Sequence, residues 1–195
     1  MRPRPTRISS PKFSIPSIFD DDDKLMLLSI NTAITEQLSK AVGNVADVRD
    51  VAATYFGTIH LWFPIMSETW YYERLPNIFT HPRADRSLLS LSMALINTIP
   101  AEKDKLDTLS PLYVLLKSSI AIVEAANINT LEVVQARLLV SLFEIGHGIP
   151  AVFMSLAATA RAAVLIGINQ AVHDASSPER DENNRVWWGI VMLDR

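Results

Sequence analysis

Cysteine is absent from the 195-residue chain. That absence excludes disulfides, iron–sulfur clusters and thiolate zinc sites. A basic excess is also missing: 18 lysines and arginines face 21 acids, for a net charge of −3. Nucleic-acid binding rests on a basic surface that neutralises phosphates, so this chain by itself is not expected to contact DNA. No apolar run reaches the ~18 residues that a membrane-spanning helix needs. The nearest, Ala151 to Ile166, carries Arg161 and lies between Pro150 and Gly167, so it reads as a buried helix and no membrane contact is expected. There is no secretory apolar region at the N-terminus. Residues 1–19 hold Arg2, Arg4, Arg7 and Lys12 and no acid, faintly like a transit peptide, but Pro3, Pro5, Pro11 and Pro16 prevent the amphipathic helix such a peptide requires.

Catalytic signatures are missing as well. There is no GxSxG, no GxGxxG and no phosphate-binding GxxxxGK[ST], and no serine has an adjacent base. His60, His81, His147 and His173 form no HExxH and no cluster with acids at ligand spacing, so no metal or cofactor site is expected. The sequence does not describe an enzyme.

What is present is 49% hydrophobic and 20% charged, enough to bury a real core in one domain. Helix signals recur along it and strand-period segments do not. Residues 1–18 are Pro/Ser-rich and read as a flexible linker, and residues 19–195 read as one helical region. Asp20, Asp21, Asp22 and Asp23 stand where carboxylates complement the positive end of a first helix. They are also similar to the magnesium motif of all-helical terpene synthases, although no second acidic cluster matches them; this is the enzyme alternative. A second helix spans Asp47 to Trp62 and stops at Pro64. Ser67 caps a short aromatic helix that ends at Leu75-Pro76, and a fourth helix follows Asp85 and ends before Pro100. The charged stretch 101–109 reads as a loop. Ser110-Pro111 starts a fifth helix that ends at Asn127, and Thr130 caps a sixth.

The sixth helix and its successor, TLEVVQARLLVSLFEIGHG and AVFMSLAATARAAVLIGI, are so apolar that other helices are expected to cover both. They turn at Gly146, Gly148 and Pro150, and Gly167 closes the second. Residues 169–177 read as a polar loop, after which Ser177-Pro178 starts a last helix that runs to Arg195. Trp70, Tyr71, Tyr72, Trp187 and Trp188 read first as core and second as the lining of a ligand cavity.

Arg161 is the one charge in its helix, and no acid lies three or four residues away. On a buried face it needs a tertiary carboxylate. The short turn at residues 146–150 makes the preceding helix an antiparallel neighbour. A buried pair of Glu144 with Arg161 is therefore expected, with Asp194 as the second choice.

Three ordered signatures carry a resemblance: Gln135-Ala136 with Leu138-Leu139, Ala160-Arg161-Ala162 with Gly167, and Trp187-Trp188 with Leu193-Asp194-Arg195. An entry segment precedes them, with Tyr55, Phe56, His60, Phe63, Pro64, Ile65 and Thr69. Together they resemble the middle homology region of fungal zinc-cluster transcription factors, from about Tyr55 to the end of the chain. Ser67 stands where a second histidine is usual, and Ile168-Asn169-Gln170 replaces Leu-His-Arg. The resemblance implies an all-α, multi-helix orthogonal or antiparallel bundle, incomplete at its C-terminus because the family region continues past this point. His60, Phe63, Pro64, Gln135, Ala136, Arg161, Gly167, Trp187, Trp188, Asp194 and Arg195 would be its structural signature residues. It further implies a nuclear regulatory domain that works through protein subunits, a full-length relative or a small-molecule effector. In such proteins an N-terminal zinc cluster binds the DNA and the zinc. A stand-alone helical module that inhibits a full-length relative is the alternative.

Overall fold

Residues 18–98, 110–169 and 178–195 are those that the computed structural model describes, and among them are eight α-helices and no strand. They are α1 (Ile18–Ala41), α2 (Val45–Gly57), α3 (Glu68–Arg74), α4 (Ala84–Ile96), α5 (Pro111–Ala125), α6 (Leu131–Gly146), α7 (Val152–Leu165) and α8 (Pro178–Leu193). Short 3₁₀ turns at Ile59–Leu61 and Leu75–Asn77 finish α2 and α3. The all-α bundle expected from the sequence is thus present. The expected linker, apart from Ile18, and the expected loops at 101–109 and 170–177 lie outside the described residues.

Local chemistry sets the ends. Asn44 accepts from the amides of Ala46 and Asp47 while Asp47 accepts from the Asn44 amide, a reciprocal cap that starts α2. Ser67 caps α3 through the Trp70 amide, and Thr130 caps α6 through the Val133 amide. Gly148 and Gly167 have φ of 63° and 78°, the left-handed geometry that lets the chain leave α6 and α7. Helix α4 has no side-chain cap of its own. Asn31 of α1 supplies one, accepting from the Ala84 amide at 2.8 Å, and Asn97 at the other end donates to the Val51 carbonyl of α2 at 2.8 Å. Both ends of α4 are pinned by its neighbours.

The core is built on α4 and α6, which pack against each other more extensively than any other pair of elements. Every residue of α6 from Val133 to Ser141 is buried. So is most of α4, including Ser87, Ser90 and Ser92. Serines are small enough to let two helices approach closely, provided each hydroxyl is satisfied. Ser87 meets Thr35 of α1 at 2.8 Å, Ser90 meets the Tyr71 hydroxyl at 2.8 Å, and Ser92 donates to the Leu89 carbonyl at 2.7 Å. Helices α1, α2 and α5 pack against α4, and α7 and α8 pack against α6.

Helix α7 departs from expectation. It buries a stripe of Leu156, Thr159 and Ala163 and leaves Phe153, Met154, Val164 and Leu165 exposed. Coverage on all sides, expected from its composition, is not what the fold provides: α7 is an outer helix whose solvent face happens to be apolar. Arg161 lies two residues past Thr159, about 200° around a helix of 3.6 residues per turn. It is exposed, with no carboxylate in ion-pair contact among the described residues. The expected Glu144–Arg161 pair is therefore not formed, and Asp194, exposed at the end of α8, does not replace it.

The first described turns of α1 project beyond the bundle, since Asp22 to Ser29 are all exposed and packing begins at Ile30. At the opposite end of the chain, Val186, Gly189 and Ile190 seat α8 against the core. A Cβ added at Gly189 would stand 2.9 Å from Leu138 and 3.0 Å from Ile65, closer than side chains tolerate. Gly189→Ala is expected to lose about 1–3 kcal/mol to overpacking, only partly offset by the roughly 0.5–1 kcal/mol that alanine gains in helix propensity. Urea denaturation checks this; a stabilised variant would show that α8 is seated less closely than described.

Candidate functional site

The candidate site begins with Gln135. It is buried in the middle of α6, where an amide side chain must find partners for its two N–H bonds. Its Nε2 donates to the Ile65 carbonyl at 2.9 Å and to Glu182 Oε1 of α8 at 2.8 Å. The same carboxylate oxygen accepts from the Ser67 amide, at the N-cap of α3, at 2.9 Å. Glu182 is itself buried. One clasp thus joins α6, α8 and the Phe63–Ser67 segment, in which Phe63, Ile65 and Met66 enter the core while Pro64 faces outward.

The clasp forms one wall of a cavity of about 290 Å³ bounded by α3, α4, α6 and α8. Met66, Leu75, Ile78, Leu89 and Leu131 give it an apolar body, and Trp70 and Tyr71 give it aromatic surface. Its polar lining comes from Arg74, Arg86, Glu132, Gln135, Glu182 and Asn183. Arg74 donates to Glu132 at 2.8 Å and lies over the Trp70 ring at 5.7 Å. Burial pushes the Tyr71 hydroxyl up to about 12, so it remains a neutral donor or acceptor beside Ser90. A few directed polar groups in an otherwise apolar concavity are the usual composition of a small-molecule site. Among the described residues that line it, none is a nucleophile paired with a base. Among the described residues no group of three or more His, Cys, Asp and Glu could hold a metal ion.

Of the aromatics considered from the sequence, Trp70 and Tyr71 line this cavity. Tyr72 and Trp187 pack partly buried against the core, and Trp188 is exposed on α8. Ala136 is buried in α6, and Asp194 and Arg195 are exposed after α8. Asp22 and Asp23 are exposed on the projecting turns of α1. Sequence reasoning missed Arg86 and Glu182. Glu182 reads as an ordinary acid in the first turns of a helix, and Arg86 as one of several charges around the start of α4. The buried Gln135 was the available signal, because its two donors demand acceptors.

His60 holds the corner beside this site, but not through a hydrogen bond. Its ring meets Phe56 edge-on at 5.0 Å and Tyr55 at 5.9 Å, and its Nδ1 is buried without a partner among the described residues. Burial, with Arg185 nearby, lowers its pKa below 6.5 despite an opposing effect of Glu68. The unfolded chain therefore takes up this proton first as pH falls. The stability contributed is complete above pH 6.5 and is lost as pH drops through the lower folded value. His60→Phe is expected to flatten that part of the profile, read as the change in urea midpoint between pH of about 7.5 and about 5.5. An unchanged slope would show that His60 is not the group responsible.

The cavity and its clasp are thus features of a helical bundle organised on the Gln135 helix. The chain belongs to the family of the fungal specific transcription factor domain, which matches residues 52–195. It is similar to transcription factor BOA15 of Botryotinia fuckeliana, 31% identical over 142 residues that cover 72% of this chain and 76% of that protein. No solved structure matches it. The role in transcription regulation that the sequence resemblance implied is thereby supported at the level of the family. The family's zinc cluster has no counterpart in these residues, since the chain contains no cysteine to supply its thiolates. Among the described residues no helix is long and apolar enough to cross a membrane.

Proposed function

We propose that this domain is the regulatory region of a nuclear fungal transcription factor and that it responds to a small-molecule effector held between α3, α4, α6 and α8. DNA and zinc binding then belong to a zinc cluster outside these residues. One observation carries the reading: Glu182 and Gln135 line the cavity and also clasp α8 to the bundle. A ligand that competes for either group changes how firmly α8 is held, and it biases an equilibrium only through such differential contacts. Residues 1–195 fused to a heterologous DNA-binding domain and an activation segment provide the test in a fungal reporter strain. Reporter output should vary with growth conditions, and Leu131→Trp, which fills the cavity, should remove that variation. Variation that survives a filled cavity would overturn the reading.

A protein-contact reading is favoured by a different observation, the exposed Phe153, Met154, Val164 and Leu165 on α7. An apolar face of this kind marks an interaction surface. Docking there on a full-length relative would be lost in Phe153→Glu/Leu165→Glu. Association unchanged by that pair of charges would dismiss it.

A further inference from the structure

Arg74 and Arg83 stand close enough to act on the charge of Arg86 at this end of the bundle. Both are neutralised. Arg83 donates to the buried Asp85 through Nε at 3.1 Å, and Arg74 donates to Glu132. Arg86 is different. Its backbone is engaged, with its amide donating to Asp85 and its carbonyl accepting from Ser90. Its guanidinium has no hydrogen bond or ion pair among the described residues, its Nε is buried without a partner, and it lines the cavity.

A guanidinium is always charged, carries five donors and favours planar anions, which it can bind in a bidentate manner. Leaving one unpaired at the wall of a low-dielectric concavity costs free energy that a ligand's charge can recover. The carboxylates nearest to it are already committed, Asp85 to Arg83 and Glu132 to Arg74. Glu182 keeps its negative charge, but its Oε1 is committed to two neutral N–H donors, the Ser67 amide and the Gln135 side chain, and it makes no ion pair with Arg86 among the described residues. Beside these charges the cavity offers Ser67, Ser90 and Asn183 and a body that is apolar and aromatic. The missing partner therefore combines an anionic head with an apolar body.

We propose that the cavity binds a small amphipathic organic anion, whose head pairs with Arg86 and whose body lies against Trp70, Leu89 and Leu131. This rests on the effector reading above and deepens it by assigning the ligand's charge. Arg86 is then a binding residue whose unpaired state is the ligand-free condition, and burial together with Arg74 and Arg83 lowers its hold on its proton. An anion relieves both effects.

Calorimetry on the full chain with indole-3-acetate and its isosteric neutral amide tests the charge, and phenyl phosphate distinguishes a phosphate head from a carboxylate. The anion should bind at least about tenfold more tightly than the amide, as a charge-assisted pair requires. The Arg86 Nε–H resonance should shift on binding, a readout that needs no variant. Arg86→Gln should abolish the preference by weakening binding of the acid far more than that of the amide, and keep or raise the Tm, because an unpaired charge has been removed. A preference for phenyl phosphate that vanishes in Arg86→Gln supports the same site with the other head. Equal binding of acid and amide would overturn the anion assignment while leaving an effector cavity in place. Failure of all three probes to bind would overturn this inference, and the effector reading would then rest on the reporter experiment alone. A preference that persists in Arg86→Gln would overturn it as well.

Discussion

Replacing Lys117 with methionine is expected to destabilise the domain by about 2–3 kcal/mol, which is large for a side chain that is partly exposed. The reason lies in its partner. Glu144 is fully buried in α6, where its Oε1 accepts from the Tyr113 hydroxyl at 2.7 Å and from Lys117 Nζ at 3.1 Å. Its Oε2 has no partner among the described residues. Lys117 also donates to Ser155 of α7 at 2.6 Å, so one ammonium ties α5, α6 and α7 together. Methionine keeps much of the packing and removes the only cation that pairs with Glu144 among the described residues. The cost is that of an uncompensated charge in the interior. Lys117→Met/Glu144→Gln should recover part of the loss, because glutamine can still accept from Tyr113 and carries no charge. A coupling of about 1–2 kcal/mol in the double-mutant cycle is the expected sign. Urea denaturation of the four proteins measures it, and strictly additive losses would mean that Lys117 acts by packing alone.

The second large effect falls on the clasp. Gln135→Leu is expected to cost about 2–4 kcal/mol, since it leaves the Ile65 carbonyl without its donor and strips the buried Glu182 of one of two. At roughly 2–4 °C of Tm per kcal/mol for a domain of this size, the shift is easily read by circular dichroism. Loss of α8 from the bundle should accompany it, visible as a change in Trp187 fluorescence toward that of a hydrated indole. Gln135→Glu is a sharper probe of the same contact, because it sets two carboxylates against each other. A wild-type melt from either variant would mean that α8 is held by Val186, Gly189 and Ile190 without help from Glu182.

These sites show how far the sequence could be read. Element ends were legible because their chemistry is local: the Ser67 and Thr130 caps, Pro111 at the start of α5, and glycines where α6 and α7 end. The importance of α6 was legible from its predominantly apolar composition. The equal importance of α4 was not, because Ser87, Ser90 and Ser92 look polar in sequence and become core only through partners 52, 19 and 3 residues away. The pair expected between Glu144 and Arg161 is not formed, and Glu144 pairs instead with a cation on another helix. The cation comes from α5, and the reasoning failed by taking the apolar composition of α7 as proof that Arg161 was buried. At the cavity, Trp70 and Tyr71 could be suspected from their type. Arg86 could not, since its distinction is the absence of a partner, and that depends on Arg83 and Arg74 having taken theirs.

The projecting turns of α1 have a consequence for how the protein melts. Helix formation in isolation requires an improbable nucleus, but the packed half of α1, from Ile30 to Ala41, supplies one already formed. The exposed stretch from Asp22 to Ser29 is then largely elongation, with each residue adding one hydrogen bond at a propagation constant near unity. Such a segment has no melting point of its own. Its helix content shortens continuously toward Ile30 as temperature rises, and the carboxylates of Asp22 and Asp23, in the N-terminal half of the helix, oppose that shortening most at low ionic strength. The far-ultraviolet signal should accordingly slope before the cooperative transition, and salt should steepen the slope without moving the midpoint.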